Sequence, residues 1–157
     1  MLPALSKRIV LAVGLAICLA ACSSDDMTGG TDNTPHDILL SGTLDIPATY
    51  DADLDAGTVQ TSETFADGDI WNESVSGDVD QLSVVDTSRF AVMGTAAPNY
   101  AACAAATYGS TSYELIGAPL GLYFCVHTDQ NHYAEVQLTK TAVEGDHNIS
   151  ISFTTWK

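Results

Sequence analysis

Apolar residues recur at every second position through much of residues 120–141, and that period of two constrains the fold more than any other feature of the chain. A helix would need apolar spacings of three and four. Alternation instead lines up one set of side chains on a single face of an extended strand. Asn131 stands where a type I turn with a bulge needs a left-handed residue, and such a turn pairs Thr128 with His132. That register sets Val126 opposite Ala134, Phe124 opposite Val136 and Leu122 opposite Leu138, all apolar. Tyr123, Cys125 and His127 then share the other face with Tyr133, Glu135 and Gln137.

The rest of the chain from residue 38 onward follows the same short period. Residues 50–55 alternate strictly: Tyr50, Ala52 and Leu54 are expected inward, Asp51, Asp53 and Asp55 outward in water, and Gly57 ends the strand. Residues 69–75, 82–85, 90–93 and 148–156 read as further strands, with a turn at 86–88 and with Ile149, Ile151 and Phe153 buried by the last. Residues 99–106 are alanine-rich and predict two helical turns. Strands this short between turn signals predict an all-β domain, a small antiparallel β-sandwich of jelly-roll-like form with one short helical segment.

The N-terminal segment obeys a different rule. Lys7 and Arg8 precede an uncharged apolar run over residues 9–21. As a helix it would span roughly 20 Å, short of the ~30 Å hydrocarbon core, so it reads as an export signal. The run ends Leu19-Ala20-Ala21-Cys22, which closely resembles the cleavage box of bacterial lipoproteins. The resemblance implies removal of residues 1–21, lipidation of Cys22 and a membrane as the first partner. Each buried methylene of the lipid would contribute ~0.8 kcal/mol, enough in two or three chains for permanent anchoring. Ser23 in such families goes with outer-membrane delivery, so the expected location is the cell envelope, lipid-anchored at the outer membrane. Residues 22–36, polar and rich in Gly, Thr and Asp, then form a tether with a reach of roughly 20 Å, and residues 37–157 form the domain.

On that reading Cys18 leaves with the signal, Cys22 takes the lipid, and Cys103 and Cys125 are expected to pair in an oxidising compartment. The charge balance bounds the partners. Lys+Arg number 5 against 20 Asp+Glu, and without Lys7 and Arg8 three cations remain against those acids, a formal charge of −17. Nucleic acid, and anionic headgroups met through a basic patch, are excluded as partners, because both need clustered Lys and Arg. A basic protein surface is what such a domain attracts.

Three stretches, YDADLDAG at 50–57, DIWNE at 69–73 and GLYFCVHTDQNHYAEVQL at 121–138, resemble a group of small secreted bacterial domains of no assigned activity. That group also carries a cysteine in an alanine-rich stretch, here Cys103, and an ending like Thr154-Thr155-Trp156. This chain departs from it at Asn72, where a second Trp is common, and at His132, where a basic residue is usual. The resemblance implies a fold and a location and no chemistry.

Calcium is the one cofactor the sequence raises. Asp51, Asp53 and Asp55 imitate the start of an EF-hand loop, but Ala56 replaces its sixth-position Gly and Ser62 its twelfth-position Glu. In an extended strand these carboxylates would sit roughly 6.6 Å apart, which favours a solvated face over convergence on one ion. Asp67 and Asp69, or Asp78 and Asp80, are the metal candidates, since they fall in loops. His36 and His147 lie in polar segments, and His127 and His132 are aimed at different faces of the hairpin, which does not suit zinc. No G-x-S-x-G motif and no unpaired thiol remain, so catalytic residues are expected to be absent. Trp71, Tyr123 and Tyr133 are candidates for carbohydrate binding through exposed rings. The expectation is an exported, lipid-anchored, non-catalytic binding or interaction module. The alternatives are a calcium-stabilised structural module of the envelope, or an inhibitor of a basic hydrolase.

Overall fold

A computed structural model describes residues 36–61, 67–75, 79–143 and 145–157. Ten strands and one short helix follow one another as β1 (Ile38–Ile46), β2 (Tyr50–Asp53), β3 (Thr58–Thr61), β4 (Ile70–Val75), β5 (Val79–Val84), β6 (Arg89–Gly94), α1 (Tyr100–Ala104), β7 (Ser112–Glu114), β8 (Tyr123–His127), β9 (Tyr133–Lys140) and β10 (Ile149–Trp156). They form two antiparallel five-stranded sheets: sheet 1 in the order β1-β10-β9-β8-β6, and sheet 2 in the order β3-β2-β4-β5-β7. This is a small all-β sandwich.

The β8–β9 hairpin has the register its alternation requires. Phe124 faces Val136 and Val126 faces Ala134, and all four are buried. Leu138 N donates to Leu122 O (2.8 Å), which extends the same face by one pair. Asn131 takes φ 66°, and Thr128 N donates to His132 O across the turn (3.0 Å). From sheet 1, Phe90, Phe124, Val136, Ile151 and Phe153 meet Ala52, Leu54, Ile70 and Leu82 of sheet 2 and the turn after β2 in one core. Phe90 and Phe124 pack edge to face, with centroids 5.5 Å apart.

Helix α1 lies against the outer face of sheet 1. Asn99 caps it by accepting from Ala102 N (2.9 Å), and the Cys103–Cys125 disulfide ties it to β8. Both cysteines are fully buried, with Trp156, Tyr100, Tyr108 and Tyr133 packed around them. The helix is shorter than the alanine content suggested, because alanine-rich segments this short are marginal in water and only the turn held by the cap, the disulfide and this packing persists.

Strands β1, β3 and β7 are not marked by clear alternation. Their residues, ILLSGTLDI, TVQT and SYE, are too mixed or too few to show a period. One expectation is overturned. Asp51 and Asp53 do point away from Ala52 and Leu54, yet they are not solvated: Asp51 is 0% exposed and Asp53 6%. The strand also stops at Asp53, so Asp55 belongs to the following turn.

Candidate metal centre

The turn after β2 is built by Asp53. Its Oδ1 accepts from Asp55 N (2.9 Å) and Ala56 N (2.8 Å), an Asx turn that folds the chain back on itself. Gly57 completes the turn at φ +67°, and Gly57 N donates to Asp53 O (2.8 Å). The extended 6.6 Å spacing expected of a continuous strand therefore does not apply, and Asp55 comes round towards Asp53.

Asp69, just before β4, is the hub. Its Oδ2 accepts from Leu54 N (2.8 Å), and its Oδ1 accepts from Ser88 Oγ (2.8 Å) and Asp129 N (3.0 Å). One buried carboxylate thus ties the turn after β2, the β5–β6 turn and the β8–β9 turn together. Asp53, Asp55 and Asp69 each offer an oxygen within 4.8 Å of the others. Opposite ligands across a calcium ion stand about 5 Å apart, from Ca–O distances of about 2.3–2.6 Å, so this is the span of one coordination sphere.

The three carboxylates lie within 4.8 Å of one another, which sets up mutual repulsion when they are ionised. His132 Nδ1 donates to Asp55 Oδ1 (2.9 Å) and relieves part of it. Arg89 is spent on the Asp86 and Ser88 carbonyls, and Lys140 on Asp146. Burial, reinforced by the Asp55 charge and opposed by its hydrogen bonds, pushes the Asp69 carboxyl up to about 6. The Asp129 carboxyl is raised as well, first by burial and then by the charges of Asp55, Asp53 and Asp67. Among the described residues, Asp55 Oδ2 and Asp129 Oδ1 are buried with no hydrogen-bond partner, and the Asp55 side chain is only 2% exposed. A buried carboxylate oxygen without a donor is costly, and protonation, a water or a bound cation can each satisfy it.

Of the residues singled out from the sequence, Asp69 joins this cluster and exposed Asp67 stands near enough to influence Asp129. Asp80 does not join: it lies opposite Ser74, at the far end of the β4–β5 ladder from Asp69, and accepts from His147 Nδ1 (2.7 Å). Asp78 and Cys22 lie outside the described residues. Trp71 is half-buried and lines a shallow cavity with Val84, Val85 and Asp86. Tyr123 is half-buried opposite Gln137 on the outer face of sheet 1. Tyr133 is half-buried and packed among Tyr100, Tyr108 and His127. His127 and His132 do diverge, the first to Tyr108 and Tyr133 and the second to Asp55.

Sequence reasoning raised Asp53 and Asp55 as an EF-hand-like start but set them aside as a solvated strand face, and so did not join them to Asp69. The available signal was the D-L-D-A-G run, in which an aspartate followed by a glycine four residues on marks a turn more strongly than a strand end. The chain matches no known protein-family model, no curated protein and no solved structure.

Proposed function

We propose that this chain is an exported, lipid-anchored, non-catalytic module of the cell envelope whose domain is stabilised by a bound calcium ion. The observation that carries the calcium reading is the convergence of Asp53, Asp55 and Asp69 within 4.8 Å, with a buried Asp55 oxygen that has no partner among the described residues. An all-oxygen, carboxylate-rich set suits a hard cation and not a thiophilic one. The anchor is supported by the basic residues, apolar run and Leu-Ala-Ala-Cys box of the N-terminus. The charge of −17 adds that any protein partner presents a basic surface, with binding lost at high salt.

The test is the thermal midpoint of the purified protein in EDTA, in millimolar calcium and in millimolar magnesium. At a hundred times its dissociation constant a ligand adds about 2.7 kcal/mol, which moves the midpoint of a domain this size by on the order of 10 °C. A calcium-specific rise is the expected result. Equal midpoints in EDTA and calcium would refute the reading and return the acids to a role in solubility and partner attraction. The anchor is tested separately: Cys22→Ser should move the protein from the membrane fraction to the soluble one.

A further inference from the structure

Net negative charge attracts a basic partner without choosing where it docks. One place on the domain combines an aromatic wall, an apolar floor and an unengaged carboxylate. Trp71, Val84, Val85 and Asp86 line a cavity of about 320 Å³. We infer that this cavity receives an arginine side chain of the basic partner, with the guanidinium held between the Trp71 indole and the Asp86 carboxylate. This rests on the reading that any protein partner presents a basic surface.

The walls suit both ends of such a side chain. Trp71 alternates with buried Ile70 and Asn72, so it stands on the outer face of sheet 2, half-buried. Val85 is buried and Val84 half-buried, which gives the aliphatic stem an apolar bed. Asp86 is exposed, and its carboxylate has no hydrogen-bond or ion-pair partner among the described residues. Arg89 is held on the backbone carbonyls of Asp86 (3.2 Å) and Ser88 (2.5 Å), not on that carboxylate. A second acid stands on the same face as Trp71. Glu73 lies two residues on, and its Oε2 accepts from Ser83 Oγ (2.6 Å), Ser83 being the residue directly opposite Trp71.

Guanidinium fits this set better than ammonium does. It is planar and weakly hydrated, so it can lie on an indole while its N–H groups reach a carboxylate at the rim. The walls are also fixed before anything enters. Val84 N donates to Thr111 O (3.0 Å), Val85 N to Asp69 O (3.1 Å) and Ser88 N to Val85 O (3.0 Å). Entry therefore orders the incoming side chain and leaves the cavity as it was.

The experiment is titration calorimetry on the purified protein at low salt in EDTA, with end-capped tetra-arginine and tetra-lysine peptides as the probes. Tetra-arginine is expected to bind the more tightly and to change the tryptophan fluorescence. Trp71→Ala should weaken its binding by roughly 5- to 30-fold, the range of a partly desolvated cation–aromatic contact, and Trp71→Phe by less. Asp86→Asn should weaken it by roughly 2- to 5-fold, as the loss of an exposed ion pair does. Asp86 has φ 47°, which asparagine also adopts, so that variant removes charge alone and carries the test if Trp71→Ala does not fold. If either folded variant binds tetra-arginine as tightly as wild type, the cavity is refuted and the basic-partner reading stands. Equal affinity of wild type for the two peptides refutes the guanidinium assignment. If wild type binds neither peptide, the basic-partner reading falls with the cavity.

Discussion

Replacing Asn72 by alanine should destabilise the domain more than its small volume suggests. Asn72 lies on the inner face of β4, fully buried, where an apolar residue would be the default. Its Nδ2 donates to Ile46 O (3.0 Å) and His147 O (2.9 Å), and its Oδ1 accepts from Ser74 Oγ (2.8 Å). Ile46 ends β1 and His147 precedes β10, so one amide on sheet 2 satisfies two carbonyls flanking sheet 1. Asn72→Ala strands both, at about 1–3 kcal/mol for a buried group, and Ser74 Oγ can recover only its long contact with His147 O (3.4 Å). The expected loss is about 3–5 kcal/mol, read as a lower urea midpoint at unchanged slope. Asn72→Asp, the same shape with acceptors where the donors were, should be worse still at neutral pH. A loss below about 1 kcal/mol for Asn72→Ala would refute the reasoning. So would an Asn72→Asp variant that matched wild type.

Three further outcomes are expected. Removing the disulfide with Cys103→Ala and Cys125→Ala together should cost about 3 kcal/mol by chain entropy for its sequence separation of 22, measured by urea unfolding. Gly68→Ala should lower the thermal midpoint, because a Cβ there would stand 2.5 Å from Oδ2 of the fully buried Asp51, which has no room to retreat. Asp69 predicts a pH dependence in EDTA. Its carboxyl is raised by burial from 3.8 to about 6, so its contribution is complete below pH 3.8 and is lost as pH climbs through 6, by up to about 3 kcal/mol. The stability difference between wild type and Asp69→Asn should shrink by that amount from pH 4 to pH 7, and a constant difference would count against the burial argument.

The β8–β9 hairpin was legible in the sequence because its information is local. Asn131 selects the turn, the turn selects the register, and the register agrees with which residues are apolar. The disulfide was legible in a different way: with Cys18 and Cys22 set aside in the N-terminal apolar segment, Cys103 and Cys125 are the two cysteines of the domain, and they pair. The alternation of residues 50–54 also correctly assigned Ala52 and Leu54 to the core.

What tertiary structure alone decided is the fate of the aspartates. Alternation says which face a side chain takes but not whether another segment covers that face. Here Gly68 lies against Asp51, and the β8–β9 turn reaches Asp69 through the Asp129 N–H and the turn after β2 through His132. Asp69 and Asp129 are sixty positions apart, and no local pattern couples them. The same holds for Asn72, which in sequence is a polar residue inside a strand and in the fold is the bond between sheets. Local residue choice determined the elements, because turn and strand preferences act over a few residues. The candidate metal centre exists only where those elements meet, because coordination depends on distances that the sandwich packing sets.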